Sequence, residues 1–183
     1  SPIAYFTMNG CYVANLKTDG MTGSDFVMST ENKGLPTTWY VAPNETGDGT
    51  GRNSSNKAST VNRVINEIKD RYGTYFDDED ITINVSYGEY NEEIAINGFL
   101  GSGNLNVVFD TSAVLYGQIQ VENNTVDVSL DGQKTNSSTS GATIYSYQSK
   151  SQDAIVVKNS YCSINGFKAK NISSSGTTYY GAF

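Results

Sequence analysis

Hydrolysis of a glycosidic bond takes two carboxyl groups facing one cleft, about 5–9.5 Å apart. Glu92, Asp110, Glu122, Asp127 and Asp131 supply carboxylates along the middle of the chain. No spacing singles out a pair among them, and each also reads as a solvated turn carboxylate. A lyase would instead want a basic proton abstractor. The lysines of this region, Lys134, Lys150, Lys158, Lys168 and Lys170, have no distinctive neighbours in sequence. The chain contains no His among its 183 residues. That excludes Ser-His-Asp and Cys-His nucleophile systems and His-ligated zinc.

Two further clusters have a chemical reading and a plainer one. Asp77-Asp78-Glu79-Asp80 offers four carboxyls to a hard cation. Neighbours in an extended chain point to opposite sides, and the Asp-x-Asp-x-Asp-Gly spacing is missing, so we expect a solvated connection and no metal or cofactor. Gly47-Asp48-Gly49-Thr50-Gly51-Arg52 lacks the Gly-Lys-Ser/Thr ending of a phosphate-binding loop and reads as a flexible connection. The tyrosines are a different kind of signal. Tyr116, Tyr145, Tyr147 and Tyr161 are candidates for glycan contact, because sugars bind through apolar stacking on aromatic rings plus directional hydrogen bonds. The same rings equally suit a core or a subunit interface.

Composition fixes the class of element that must position these groups. The chain carries 12 basic and 19 acidic residues, a net charge of −7. With no basic run, the net negative charge argues against nucleic acid as a partner. No apolar stretch approaches the ~18 residues of a membrane span. With 19 Asn, 21 Ser and 18 Gly among β-branched apolar residues, the chain suits many short strands joined by tight turns. Cys11 and Cys162 have no spacing that argues for a disulfide, and two unpaired thiols are the simpler reading.

Residues 1–36 read as a separate appendage. Ala4–Met8 and Cys11–Leu16 are strand-like runs around Asn9-Gly10, a type I′ hairpin signal. Residues 37–183 form the main unit. It opens with Trp39-Tyr40-Val41, followed by a polar loop and one amphipathic helix over 59–72. Val61, Val64, Ile65, Ile68 and Tyr72 fall on one stripe, with Ser59 or Thr60 as N-cap and Gly73 beyond the end. After Gly73 the apolar period changes to two. Alternating runs recur at 81–85, 94–96, 105–109, 119–121, 126–130, 143–145, 155–157 and 162–164. Ile96-Asn97-Gly98-Phe99 returns as Ile164-Asn165-Gly166-Phe167, 68 residues on, which predicts three coils of about 22–23 residues. A sandwich would also supply short strands. The single leading helix and the repeated turn favour an all-β parallel β-helix, with the helix capping its first coil.

Residues 39–99 resemble the opening of phage tail proteins with a pectin-lyase-like right-handed β-helix, the tailspike type. The features that carry the resemblance are Trp39-Tyr40-Val41, the Gly47-Asp48-Gly49 loop, the helix with Val61, Val64 and Ile65, and then Ile81–Val85, Gly88-Glu89-Tyr90 and Glu93-Ile94. The match extends more loosely to about residue 172. Such proteins usually run longer, and the apolar end at 177–183 implies a stack truncated there or closed by oligomer contacts. The resemblance implies a homotrimer in a virion tail, in contact with other tail or baseplate proteins and with host cell-surface polysaccharide. The expected role is structural and adhesive, in host attachment and receptor binding, and leans away from catalysis. A polysaccharide depolymerase acting through the carboxylates above and a bacterial extracellular adhesin are the alternatives.

Overall fold

The computed structural model of the protein describes residues 35–134, 140–147, 153–172 and 178–181. The hairpin expected within residues 1–34, Cys11 with it, lies outside the described residues. The elements run β1 (Thr38–Val41), α1 (Val61–Tyr72), β2 (Tyr75–Phe76), β3 (Asp80–Val85), β4 (Gly88–Asn91), β5 (Ile94–Asn97), β6 (Leu100–Gly101) and β7 (Asn104–Phe109). They continue as β8 (Ala113–Tyr116), β9 (Ile119–Glu122), β10 (Asp127–Asp131), β11 (Thr143–Tyr147), β12 (Ile155–Lys158), β13 (Cys162–Asn165), β14 (Lys168–Ile172) and β15 (Thr178–Gly181). Among the described residues the fold is mostly β, with one helix.

Up to β14, strands consecutive in sequence do not pair. The chain visits three sheets in turn, and each strand lies beside the one a circuit later. The sheets run β1-β3-β7-β10-β13, β4-β8-β11-β14-β15 and β5-β9-β12, with a two-stranded β2-β6 pair between. Only β14 with β15 is antiparallel among the described pairs. The first circuits are even: Asp80 pairs with Asn104 and Asn104 with Asp127, Gly88 with Ala113, Ile94 with Ile119. The next is longer: Val128 pairs with Cys162 and Ile119 with Ile155, offsets of 34 and 36 residues.

That insertion corrects one expectation. Asn97 ends β5, whereas Asn165 ends β13 in a different sheet, in register with Asp131. The two Asn-Gly turns are therefore not equivalent corners. The true equivalents of Gly98 are Asn123 and Asn159. The amides of Gly98 and Asn123 donate to the carbonyls of Glu122 and Lys158. Their φ angles are 70°, 56° and 48°. Left-handed backbone is open to glycine and tolerated by Asn, so the corner is built from those two residue types.

The strand alternation puts one side chain in two inside. Trp39, Ile83, Val107 and Leu130 form one column, and Ile94 with Ile119 and Ile96 with Val121 form two more, each fully buried. Phe76 stacks on Phe99 with ring centroids 5.2 Å apart. Gly101 is required beside them: at φ 115° its Cβ would sit 1.7 Å from the Phe76 carbonyl oxygen. The columns open at the far end, where Val157 and Ile164 are each 40% exposed.

The helix covers the other end. Val61, Val64, Ile65 and Ile68 are buried, and Tyr72 meets Trp39 edge-on at 6.0 Å. Thr60 caps it, its Oγ1 accepting from the Arg63 amide at 3.1 Å, and the Gly73 amide donates to the Lys69 carbonyl. The glycine loop is strapped to the same helix. Arg52 and Arg71 both pair with Glu67, and Arg63 pairs with Glu45 at 2.6 Å. Glu67 holds the Arg52 guanidinium above its ordinary pKa.

Candidate binding face

The parallel register turns alternate residues of the five-stranded sheet into straight outward columns. Thr38, Thr82, Asn106, Ser129 and Ser163 stand in one, one residue from each strand. Tyr40, Asn84, Val108, Asp131 and Asn165 stand in a second. Asp80, Asn104 and Asp127 form a third, which Tyr161 continues, since Val128 pairs with Cys162 and its amide donates to the Tyr161 carbonyl at 3.0 Å. At about 4.8 Å per strand the face is about 19 Å long. Side chains brace one another along it. Asn104 Nδ2 donates to Asp80 Oδ1, and Asn165 Nδ2 to Asp131 Oδ1 at 3.4 Å. None of these positions is Lys or Arg.

The five candidate carboxylates have different settings, though Glu92 and Asp110 both bear on the Tyr90 hydroxyl, whose pKa is pushed up by burial first and then by these two carboxylates. Glu92 sits at the corner between β4 and β5, where its oxygens accept from the amides of Val61 at 2.9 Å and Asn62 at 3.1 Å. Burial raises its pKa above the ordinary 4.5, and those two amides act against the rise. Asp110 and Asp131 are turn formers, accepting from the amides of Ser112 and Gln133, two residues on, at 2.8 Å each. Glu122 is paired with Lys158 at 3.0 Å on the β5-β9-β12 sheet. Asp127 is exposed on the face, and no described side chain bonds to it. Asp127 and Asp131 point the same way from β10 but lie four residues, about 13 Å, apart along the strand, beyond the spacing of hydrolase pairs.

The tyrosines separate just as clearly. Tyr116 and Tyr145 are in register and stacked, centroids 5.2 Å apart and planes 11° apart. Lys170 covers the ladder, its ammonium 5.2 Å from the Tyr145 centroid. Those two rings are occupied by each other. Tyr147 ends β11, and its side chain lies outside the described residues. Tyr161 is 77% exposed. It edges a shallow groove of about 420 Å³ lined also by Asn104, Asp127, Val128, Ser129, Cys162 and Ser163. Cys162 is a free, half-buried thiol whose pKa is pushed up by burial.

The other two clusters bond within the chain. Glu79 turns back to accept from the Asp77 amide at 2.6 Å, while Asp80 goes to Asn104. No group of three acidic, Cys or His residues converges among the described residues. In the glycine loop, Asp48 Oδ1 accepts from the Thr50 amide and hydroxyl, which hold its pKa below the usual range. Sequence reasoning missed the central Thr-Thr-Asn-Ser-Ser column. Its signal was present: the polar positions alternate with the apolar ones in each run, and aligning the apolar positions aligns them.

Comparison with protein-family models, curated proteins and solved structures finds no match.

Proposed function

We propose that this chain is a right-handed parallel β-helix that serves as a structural and adhesive module of a phage tail or baseplate appendage, presenting the outer face of its five-stranded sheet to host cell-surface polysaccharide. The observation that carries this reading is the set of in-register polar columns across five parallel strands. An extended polymer laid across strands meets a fresh hydroxyl, amide or carboxylate at every strand step of about 4.8 Å. The cyclic visiting of three sheets supports the helical architecture. Its hand follows the general rule for parallel crossovers. Weak contacts at each copy suffice where a homotrimer on a virion gains avidity.

The reading is non-catalytic, because Glu92, Asp110, Asp131 and Glu122 are each engaged by the chain's own groups and the open Asp127 stands about 13 Å along the strand from Asp131. Incubation with host capsule or wall polysaccharide, read by new reducing ends and unsaturated products, tests it. We expect none. Cleavage abolished by a single substitution among Glu92, Asp110, Glu122, Asp127 and Asp131, in a folded variant, establishes a depolymerase instead. Sedimentation velocity tests the trimer, and a monomer at micromolar concentration removes that part.

A further inference from the structure

Resting on the reading above, we infer that the groove between Tyr161 and Asp127 is a sugar subsite that selects non-acidic polysaccharide. Three observations converge there. Among the candidate tyrosines whose side chains are described, Tyr161 has its ring open, 77% exposed, whereas Tyr116 and Tyr145 cover each other. Asp127 stands beside it, one strand back in the same column, with an exposed carboxylate. Asn104, Ser129 and Ser163 complete the floor and walls of the groove with an amide and two hydroxyls.

The chemistry of that set is narrow. An aromatic face takes the apolar C–H face of a pyranose. A carboxylate accepts from a pair of sugar hydroxyls, and charge-assisted bonds of this kind are the stronger ones. The amide and hydroxyls beside it both donate and accept. An acidic sugar fits poorly. Asp80, Asp127 and Asp131 project from the face, its columns hold no Lys or Arg, and the whole chain carries −7. A uronate brought against them meets only like charge. The class that fits is a neutral polysaccharide.

Affinity electrophoresis of the full chain tests this in gels holding dextran, mannan, galactan, chitosan or alginate. We expect retardation in at least one neutral gel and none in alginate. Tyr161→Ala and Asp127→Asn should each weaken that retardation about tenfold in dissociation constant while Tyr116→Ala leaves it in place. Both residues are exposed, so the variants stay folded, and circular dichroism verifies that. If the wild type binds a neutral gel and both variants bind equally well, the subsite is wrong while the binding face stands. Preference for alginate overturns the neutral class. Retardation in chitosan alone, lost with added salt, reduces the groove to a charge effect and overturns it too. Binding in no gel removes the face and the subsite together.

Discussion

Glu92 closes the N-terminus of the helix from outside it: its carboxylate accepts from the Val61 amide at 2.9 Å across 31 residues of chain. The Asn62 amide donates to the second oxygen at 3.1 Å, and the Asn62 side chain ties on to the Glu93 carbonyl and the Ala95 amide. A helix N-terminus carries unpaired amides and partial positive charge, and a carboxylate answers both. The helix is thereby fastened to the β4–β5 corner rather than merely laid on it. Glu92→Ala should cost about 1–2 kcal/mol, the range of a lost N-cap. Denaturant unfolding measures it, and an unchanged midpoint would mean the amides find water instead.

The same contact sets a pH dependence. Burial lifts the Glu92 pKa above 4.5, against the pull of the two amides. An acid whose pKa is raised on folding binds its proton more tightly in the folded protein than in the unfolded chain. Its contribution is then most favourable below 4.5 and declines as pH climbs from there through the raised value. Stability of the wild type relative to Glu92→Gln should fall across that interval and level off above it. A difference that grows with pH would show that the amides outweigh burial.

Ile65 lies 1% exposed in the centre of the helix stripe, against the end of the apolar columns. Ile65→Asp places an unpaired charge there and should cost about 3–5 kcal/mol. Ile65→Val should cost about 0.5–1.5 kcal/mol. Thermal melts of both variants check the pair, and an Asp variant that melts like the wild type would place that face in solvent.

The corner stack gives a backbone test. Asn123 holds φ 56° and its side chain accepts from Asn159 Nδ2 at 3.1 Å. Asn123→Gly keeps the conformation at the loss of one exposed hydrogen bond and should stay within about 0.5 kcal/mol. Asn123→Val forces a β-branched residue into the left-handed region and should cost about 1–2 kcal/mol or more. Equal stability of the two variants would show that the corner relaxes.

How much of this was legible in sequence follows from which interactions are local. The helix, its Thr60 cap and Gly73 are local features, and the apolar stripe names the buried face. Eight strand runs were readable from alternation, because one face is buried. β4, β8 and β14 were not: in β4 Tyr90 is the one inward apolar side chain among Gly88, Glu89 and Asn91, and in β8 the outward Val114 and Tyr116 flank the inward Leu115, so the run shows no apolar–polar alternation. The Asn165-Gly166 repeat misled because a turn motif records local backbone need, and more than one kind of corner needs a glycine with positive φ. Partner assignments such as Glu92 with Val61 or Tyr116 with Tyr145 depend on register across 31 and 29 residues of chain, which no local pattern records. The five carboxylates looked alike in sequence, and only their neighbours distinguish a helix cap from a turn former or an ion pair.

The outward columns of the five-stranded sheet are the proposed polysaccharide-binding surface. The most direct measurement compares the wild type with a triple variant, Thr82→Lys, Asn106→Lys and Ser129→Lys, in electrophoresis through gels containing dextran, mannan or galactan. The three positions are half-exposed neighbours in one column, so the substitutions crowd the face and leave the core intact. Retarded migration of the wild type that is lost in the triple variant, at an unchanged melting temperature, is the result this account predicts. Equal retardation of both proteins, or of neither, would contradict it.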